Sequence, residues 1–325
     1  MIVVTQGHEK GIGIEVFFKA LALAPAHWTG QCTLVAHRRT ILTHLKKLGI
    51  EAEVEDDCIY LPTGRLGCEW LRSSSKLPAS TQAMETGLEL VEYDTQDILF
   101  TLPTTKDDLR NPKKPTQHFL GHTEYLRARY KTDALGMFFA SPHLDVLLLT
   151  DHVPLALIGS TITGKFLKQK LQTSLTHLRQ LEPHLKRALV AGINPHAGEG
   201  GLLGKEEARL ASTLSAIKVP GFKVLGFYPG DTLLKQKQSS ADLLVYPHHD
   251  QGLAPFKSLM GTLGANVTLG LPFVRLSVDH GTAFPLYGKN IADPRGAFFC
   301  LRKAMSYQER VSGKNTNHKG EGPQP

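Results

Sequence analysis

Short apolar runs and amphipathic stretches alternate along almost the whole chain. Runs of fully apolar or period-two character at residues 2–5, 32–36, 97–102, 145–150, 188–193, 223–227, 243–246, 266–269 and 273–278 predict β-strands. Stretches with apolar residues three and four positions apart at 14–23, 40–48, 80–91, 163–181, 205–217 and 292–305 predict helices. Strand-then-helix alternation predicts an α/β fold with largely parallel pairing, arranged as two sheets or as one sheet with a large extension. The segment 104–116, rich in Pro, Lys, Asp and Asn, reads as a mobile connection or an active-site loop. From residue 306 onward the chain is polar and reads as a disordered tail.

Composition narrows the class. A chain of 325 residues can build one large or two ordinary domains with real cores. Its 41% hydrophobic and 21% charged residues are those of a soluble globular protein. There is no apolar run of the length a membrane span needs. The chain enters Ile2-Val3-Val4 at once, which reads as a first strand and not as a secretory signal. Four scattered cysteines without a C-x-x-C pair point to reduced thiols and a cytoplasmic setting. The net charge of +7 comes from basic residues spread over helical stretches without interleaved aromatics, which argues against a nucleic-acid surface. A mild positive field does suit anionic substrates such as phosphate esters.

The chemistry gathers where apolar runs end. His152 follows Leu147-Leu148-Leu149-Thr150-Asp151, His196 follows Leu189-Val190-Ala191-Gly192-Ile193-Asn194-Pro195, and His248-His249 follow Leu243-Leu244-Val245-Tyr246-Pro247. In open α/β sheets, ligands bind at the carboxyl ends of strands. Three imidazoles delivered this way could share one divalent metal, although their spacing lacks any local metal-site signature and leaves separate structural histidines equally open. The loop Asn194-Pro195-His196-Ala197-Gly198-Glu199-Gly200-Gly201 is unusually permissive for a segment bearing a His and a Glu. Gly7-His8-Glu9-Lys10-Gly11-Ile12-Gly13 lacks the spacing of the dinucleotide fingerprint and reads either as an anion-holding loop or as a tight strand-to-helix turn. Asp231, and either His122 or Thr123, are each placed to cap a helix or to meet a ligand. Asp231 and Asp250 could orient a metal-bound imidazole. Arg275, embedded in Leu271-Pro272-Phe273-Val274-Arg275-Leu276, is a charge too costly to bury unless an anion or acid pairs with it. His280, in Asp279-His280-Gly281-Thr282-Ala283, is a rival ligand or a structural histidine.

Gly121-His122-Thr123-Glu124, the 194–201 loop, His249-Asp250-Gln251-Gly252 and the stretch from Asn266 to Ala283, in that order, resemble the 4-hydroxythreonine-4-phosphate dehydrogenase family. The likeness runs from the first strand to about Met305. The resemblance implies a two-domain α/β fold like that of isocitrate and isopropylmalate dehydrogenases, with the active site in the cleft between domains. Residues 1–132 plus 285–305 would form the first domain and 133–284 the second, with the metal site and dimer contacts, leaving 306–325 as the tail. It implies metal ligation by His152, His196 and His249, and substrate binding by His122, Thr123, Lys257, Asn266 and Arg275. Asp231, Asp250 and Lys106 fall on positions associated with catalysis. The cofactor would be NAD, or NADP, with a divalent metal such as Zn, Mg or Co. The implied assembly is a homodimer whose active site is completed across the interface. The implied reaction is oxidation of 4-phosphooxy-L-threonine to a 3-oxo acid that decarboxylates to 3-amino-2-oxopropyl phosphate, in pyridoxal phosphate biosynthesis. One departure opens alternatives. The family's first loop usually reads Gly-Asp/Glu-Pro-Ala-Gly-Ile-Gly-Pro-Glu, whereas this chain reads Gly7-His8-Glu9-Lys10-Gly11-Ile12-Gly13-Ile14-Glu15, with the acidic residue and both prolines lost or displaced and a lysine gained. A paralogue acting on D-threonate or D-erythronate 4-phosphate, or a non-catalytic ligand-binding descendant, therefore stays open.

Overall fold

The structure is a computed structural model that describes residues 1–73 and 75–313. Thirteen strands form one continuous sheet. Across it, from one edge, lie Lys223–Tyr228, Arg187–Ala191, Asp242–Tyr246, Asp145–Leu148, Gly136–Ala140, Ala265–Leu269, Val274–Val278, Ile98–Thr101, Ile2–Thr5, Cys32–Ala36, Gly64–Trp70, Cys58–Leu61 and Glu53–Val54. The first four are mutually parallel, as are the five from Val274–Val278 to Gly64–Trp70. Between these blocks, Gly136–Ala140 and Ala265–Leu269 pair antiparallel to every neighbour. Three successive reversals make the two parallel blocks run in opposite directions. Expected parallel order thus holds within each block and fails at the joint.

The joint strand Gly136-Met137-Phe138-Phe139-Ala140 is buried at every position, so it has no polar alternation to distinguish it from other apolar chain. Segment 104–116 is neither bare connection nor open loop. It folds into a helical turn, Lys106–Asp108, and a two-stranded hairpin, Arg110–Asn111 with Lys114–His118. The chain from 306 is not a tail at first either. The last helix runs over Arg295–Val311, because Met305 and Tyr307 are buried in the core. Residues 314–325 lie outside the described part. Among the described residues no helix is long and apolar enough to cross a membrane, and all four cysteines are buried free thiols.

The two faces of the sheet differ. On one, Ile2, Val4, Ile98, Phe100, Phe138, Ala140, Val267, Leu276 and Val278 belong to a single apolar cluster spanning both blocks. On the other face the core is split. Val3, Leu99, Leu126 and Phe273 form one cluster, while Met137, Phe139, Leu148 and Phe256 form another. Strand alternation assigns Thr101, Arg275, Ser277, Asn266 and Thr268 to the gap between them. A polar seam therefore crosses the middle of the sheet.

The last helix is fastened by Glu182, whose side chain is 1% exposed and faces Lys303, the Tyr307 hydroxyl, Arg310 and His184. Removing the carboxylate would leave cations half-buried without a counter-charge. Glu182→Gln should therefore cost about 3 kcal/mol in urea unfolding, and a loss under about 0.5 kcal/mol would show that burial of the helix alone holds it.

Candidate active site

Arg275 is the largest fully buried side chain and is 2% exposed. Its neighbours across the ladder are Thr268 on one side and Leu99 on the other. The guanidinium donates from Nε to Thr101 Oγ1 at 3.1 Å and from Nη1 to Thr268 Oγ1 at 3.1 Å. Among the described residues its hydrogen-bond partners are thus hydroxyls, and no carboxylate is among them. Burial lowers its pKa to about 9, which measures how poorly the site compensates the charge. His122 stands close by. Burial, and then the positive charge of Arg275, hold its pKa well below the usual value, so the ring is neutral near pH 7. Asn266 carries a buried Oδ1 without a hydrogen-bond partner. Buried polar atoms are normally satisfied, so this amide oxygen and the uncompensated guanidinium are two irregular points of one seam.

Helix His122–Tyr130 brings His122 and the 5%-exposed Thr123 to this seam. Neither side chain caps the helix. Gly121 holds the cap position, while Glu124 folds back onto the Leu120 amide. Lys257, on helix His249–Met260, is already paired with Asp279 at 3.0 Å. Burial raises the Asp279 pKa against the pull of Lys257, and both Asp279 Oδ2 and His280 Nε2 lack partners. The acid was missed in the sequence because its spacing from Lys257 shows no pattern.

The expected metal histidines leave from three adjacent, parallel strands, so they share one edge of the sheet. His152 and His249 face each other with ring centroids 5.6 Å apart and line one cavity of about 290 Å³ with His248, Asp151 and Asp250. His249 Nδ1 lies 2.7 Å from Asp250 Oδ1. His196 sits on a run of left-handed backbone, His196 to Gly200, with φ of 53° at His196 and 42° at Glu199. Positive φ at non-glycine residues is strained and is characteristic of functional loops. Glu207 supports that loop by accepting from the amides of Ile193 and Asn194 at 2.7 and 2.8 Å. A Cβ at Gly198 would lie 2.6 Å from the Glu207 carboxylate, so only glycine fits there. His196 Nδ1 faces Glu199 Oε2 at 3.1 Å, with its side chain 64% exposed. The three histidines are not closed around one point. Among the described residues, the set of three ligand atoms within 4.8 Å of one another is Glu55, Asp57 and Cys58, on an exposed edge. The structure thus joins His152 to His249 and leaves His196 on a separate, exposed loop.

Asp231 and Lys106 are both exposed. Thr232, not Asp231, occupies the cap position of the short helix Leu233–Gln236. The Gly7 loop is packed at its start, while Glu9 and Lys10 are exposed. A Cβ on Gly7 would meet Pro103 O at 1.9 Å, and His8 stacks edge-on against Phe284 with centroids 4.7 Å apart. His8 Nε2 lies 3.6 Å from Asp108 Oδ2. Residues absent from the sequence reading but present at the seam are Thr101, Thr268 and Ser277. Their signal was there: polar residues at alternate positions in otherwise apolar strands.

Residues 65–304 match the family model described as pyridoxal phosphate biosynthetic protein PdxA. The chain is 33% identical to a 4-hydroxythreonine-4-phosphate dehydrogenase of Chromobacterium violaceum over 96% of its own length and 97% of that protein. It is 32% identical to a D-threonate 4-phosphate dehydrogenase of Cupriavidus necator, over 95% of this chain and 98% of the other. A solved 4-hydroxythreonine-4-phosphate dehydrogenase from Klebsiella pneumoniae superposes with a TM-score of 0.76, covering 95% of this chain and 99% of that one at 27% identity. A family model across most of the chain, full-length relatives and a shared α/β architecture agree: the chain belongs to the PdxA family of dehydrogenases.

Proposed function

We propose that the protein oxidises 4-phosphooxy-L-threonine with NAD or NADP, and that the resulting 3-oxo acid loses carbon dioxide to leave 3-amino-2-oxopropyl phosphate. The observation that carries this reading is the buried Arg275, whose hydrogen-bond partners among the described residues are threonine hydroxyls. A dianionic phosphate supplies the counter-charge that the protein withholds. The neutral His122 ring and the Thr123 hydroxyl would add hydrogen bonds to the same group, and Lys257 would reach the substrate from its contact with Asp279. Such a clamp fixes the carbinol carbon in one place, and that positioning is where most of the rate gain of a two-substrate reaction originates.

The donor set suits a divalent metal. His196 and His249 each present Nδ1 to a carboxylate, Glu199 and Asp250. With the proton on Nδ1, Nε2 keeps its lone pair for a cation, the usual carboxylate–histidine arrangement. His152, facing His249, would complete the set, and His196 would join it from across a homodimer interface or by movement of its loop. A cation held there would supply Lewis acidity to the reacting hydroxyl and to the carbonyl it becomes. Asp250 would then serve mainly to orient His249, while Asp231 and Lys106, both exposed, are the remaining candidates to accept the hydroxyl proton. The division into residues 1–132 with 285–305 and residues 133–284, the homodimer, the role in pyridoxal phosphate biosynthesis and a cytoplasmic setting belong to the same proposal.

A second reading keeps the chemistry and changes the substrate to D-threonate or D-erythronate 4-phosphate. The His8–Asp108 contact and Lys10 favour it, because they replace the usual acidic loop near the strand ends. Following NADH formation with each 4-phosphorylated acid, with and without added divalent metal, separates the two. The proposal expects 4-phosphooxy-L-threonine to be the preferred substrate and turnover to vanish in chelator. Preference for a sugar acid phosphate supports the second reading, and no turnover with any of them would defeat both.

His196→Ala is expected to keep the fold, since the side chain is exposed, and to abolish both metal retention and turnover. Full activity of this variant in metal-stripped buffer would remove His196 from the site.

A further inference from the structure

One ion pair joins helix His122–Tyr130 to the loop that carries His152. Arg127 Nη2 donates to Asp151 Oδ2 at 2.7 Å, with the two side chains 25% and 12% exposed. Arg127 lies four residues after Thr123 on helix His122–Tyr130, so both project from one stripe of it. Asp151 immediately precedes His152. A half-buried ion pair is no economy of stability, because apolar residues of similar volume usually do as well. What such a group offers is direction: a fork-shaped guanidinium holds a carboxylate at a set distance and angle.

We propose that Arg127 and Asp151, with His152 next in the chain, form a positioning triad that sets the spacing between helix His122–Tyr130 and the loop carrying His152. Arg127 carries the helix and Asp151 carries the histidine. Neither Arg127 nor Asp151 touches the reacting atoms; they act through His152 and through the helix. This inference rests on the proposed metal role of His152.

The test is titration of Co²⁺, read by its visible d–d absorption, into the full-length, metal-stripped protein and its variants. Arg127→Met and Asp151→Asn should weaken Co²⁺ binding about 10- to 100-fold, the usual effect of losing a residue that orients a ligand. Arg127→Lys, which keeps the charge without the fork, should recover part of it. The circular dichroism spectrum of each variant should match the wild type, so that a folding defect is read separately. Wild-type Co²⁺ binding with Arg127→Met within about twofold of it would overturn the triad alone. Absence of Co²⁺ binding by the wild type would instead overturn the metal reading of His152, and the triad with it. A variant that loses its far-ultraviolet spectrum would assign Arg127 to folding and likewise overturn the positioning role.

Discussion

The architecture turns on one buried positive charge. Arg275 stands in the middle of a thirteen-stranded sheet, with threonine hydroxyls and no carboxylate as its hydrogen-bond partners. A guanidinium in such a place is destabilising for the empty protein, and its lowered pKa of about 9 reflects that penalty. The apolar core, continuous on the opposite face, divides in two on this one, and the polar seam lies between the halves. The helix that begins at His122 arrives with its first turn uncapped by any side chain. A neutral His122 beside Arg275 avoids adding a second unpaired cation.

The opposed strand directions give the site its second constraint. Imidazoles at 152, 196 and 249 issue from the carboxyl ends of one parallel block, whereas Gln6–His8 and Asp279–His280 follow strands of the other. Helix His249–Met260 spans between these regions, starting at the histidine cavity and reaching Asp279 through Lys257. The proposed anion seam and the proposed metal ligands are thus linked by a helix rather than sharing one strand end. His196 leaves the same block as the other two imidazoles, but its left-handed loop leaves the side chain exposed and apart from them.

Much of this was legible in the sequence, for identifiable reasons. The strands at 2–5 and 32–36 emerged at their true limits because apolar runs there are bounded sharply by polar residues and glycine. Arg275 stood out as a charge inside an apolar strand. The left-handed loop was foreshadowed by its glycines. Other features carried no local signal. Gly136–Ala140 is apolar throughout and short, Glu53–Val54 is only two residues long, and helix His249–Met260 is interrupted by Pro255, which reads as a break. The extension of the last helix beyond 305 depends on Tyr307 and Arg310 meeting Glu182, a contact between remote segments that no window of sequence contains. The direction of the two strand blocks is likewise a tertiary fact. It follows from an antiparallel joint whose central strand had gone unrecognised.

The most direct test of the account is calorimetric titration of inorganic phosphate into the wild type and Arg275→Met, paired with thermal unfolding of both without ligand. If Arg275 exists to meet an anion, the wild type binds phosphate, the variant does not, and the empty variant melts at the same temperature as the wild type or higher. Equal phosphate binding by both proteins, or a variant that binds nothing because it melts well below the wild type, would make Arg275 a structural residue and remove the seam from the active site.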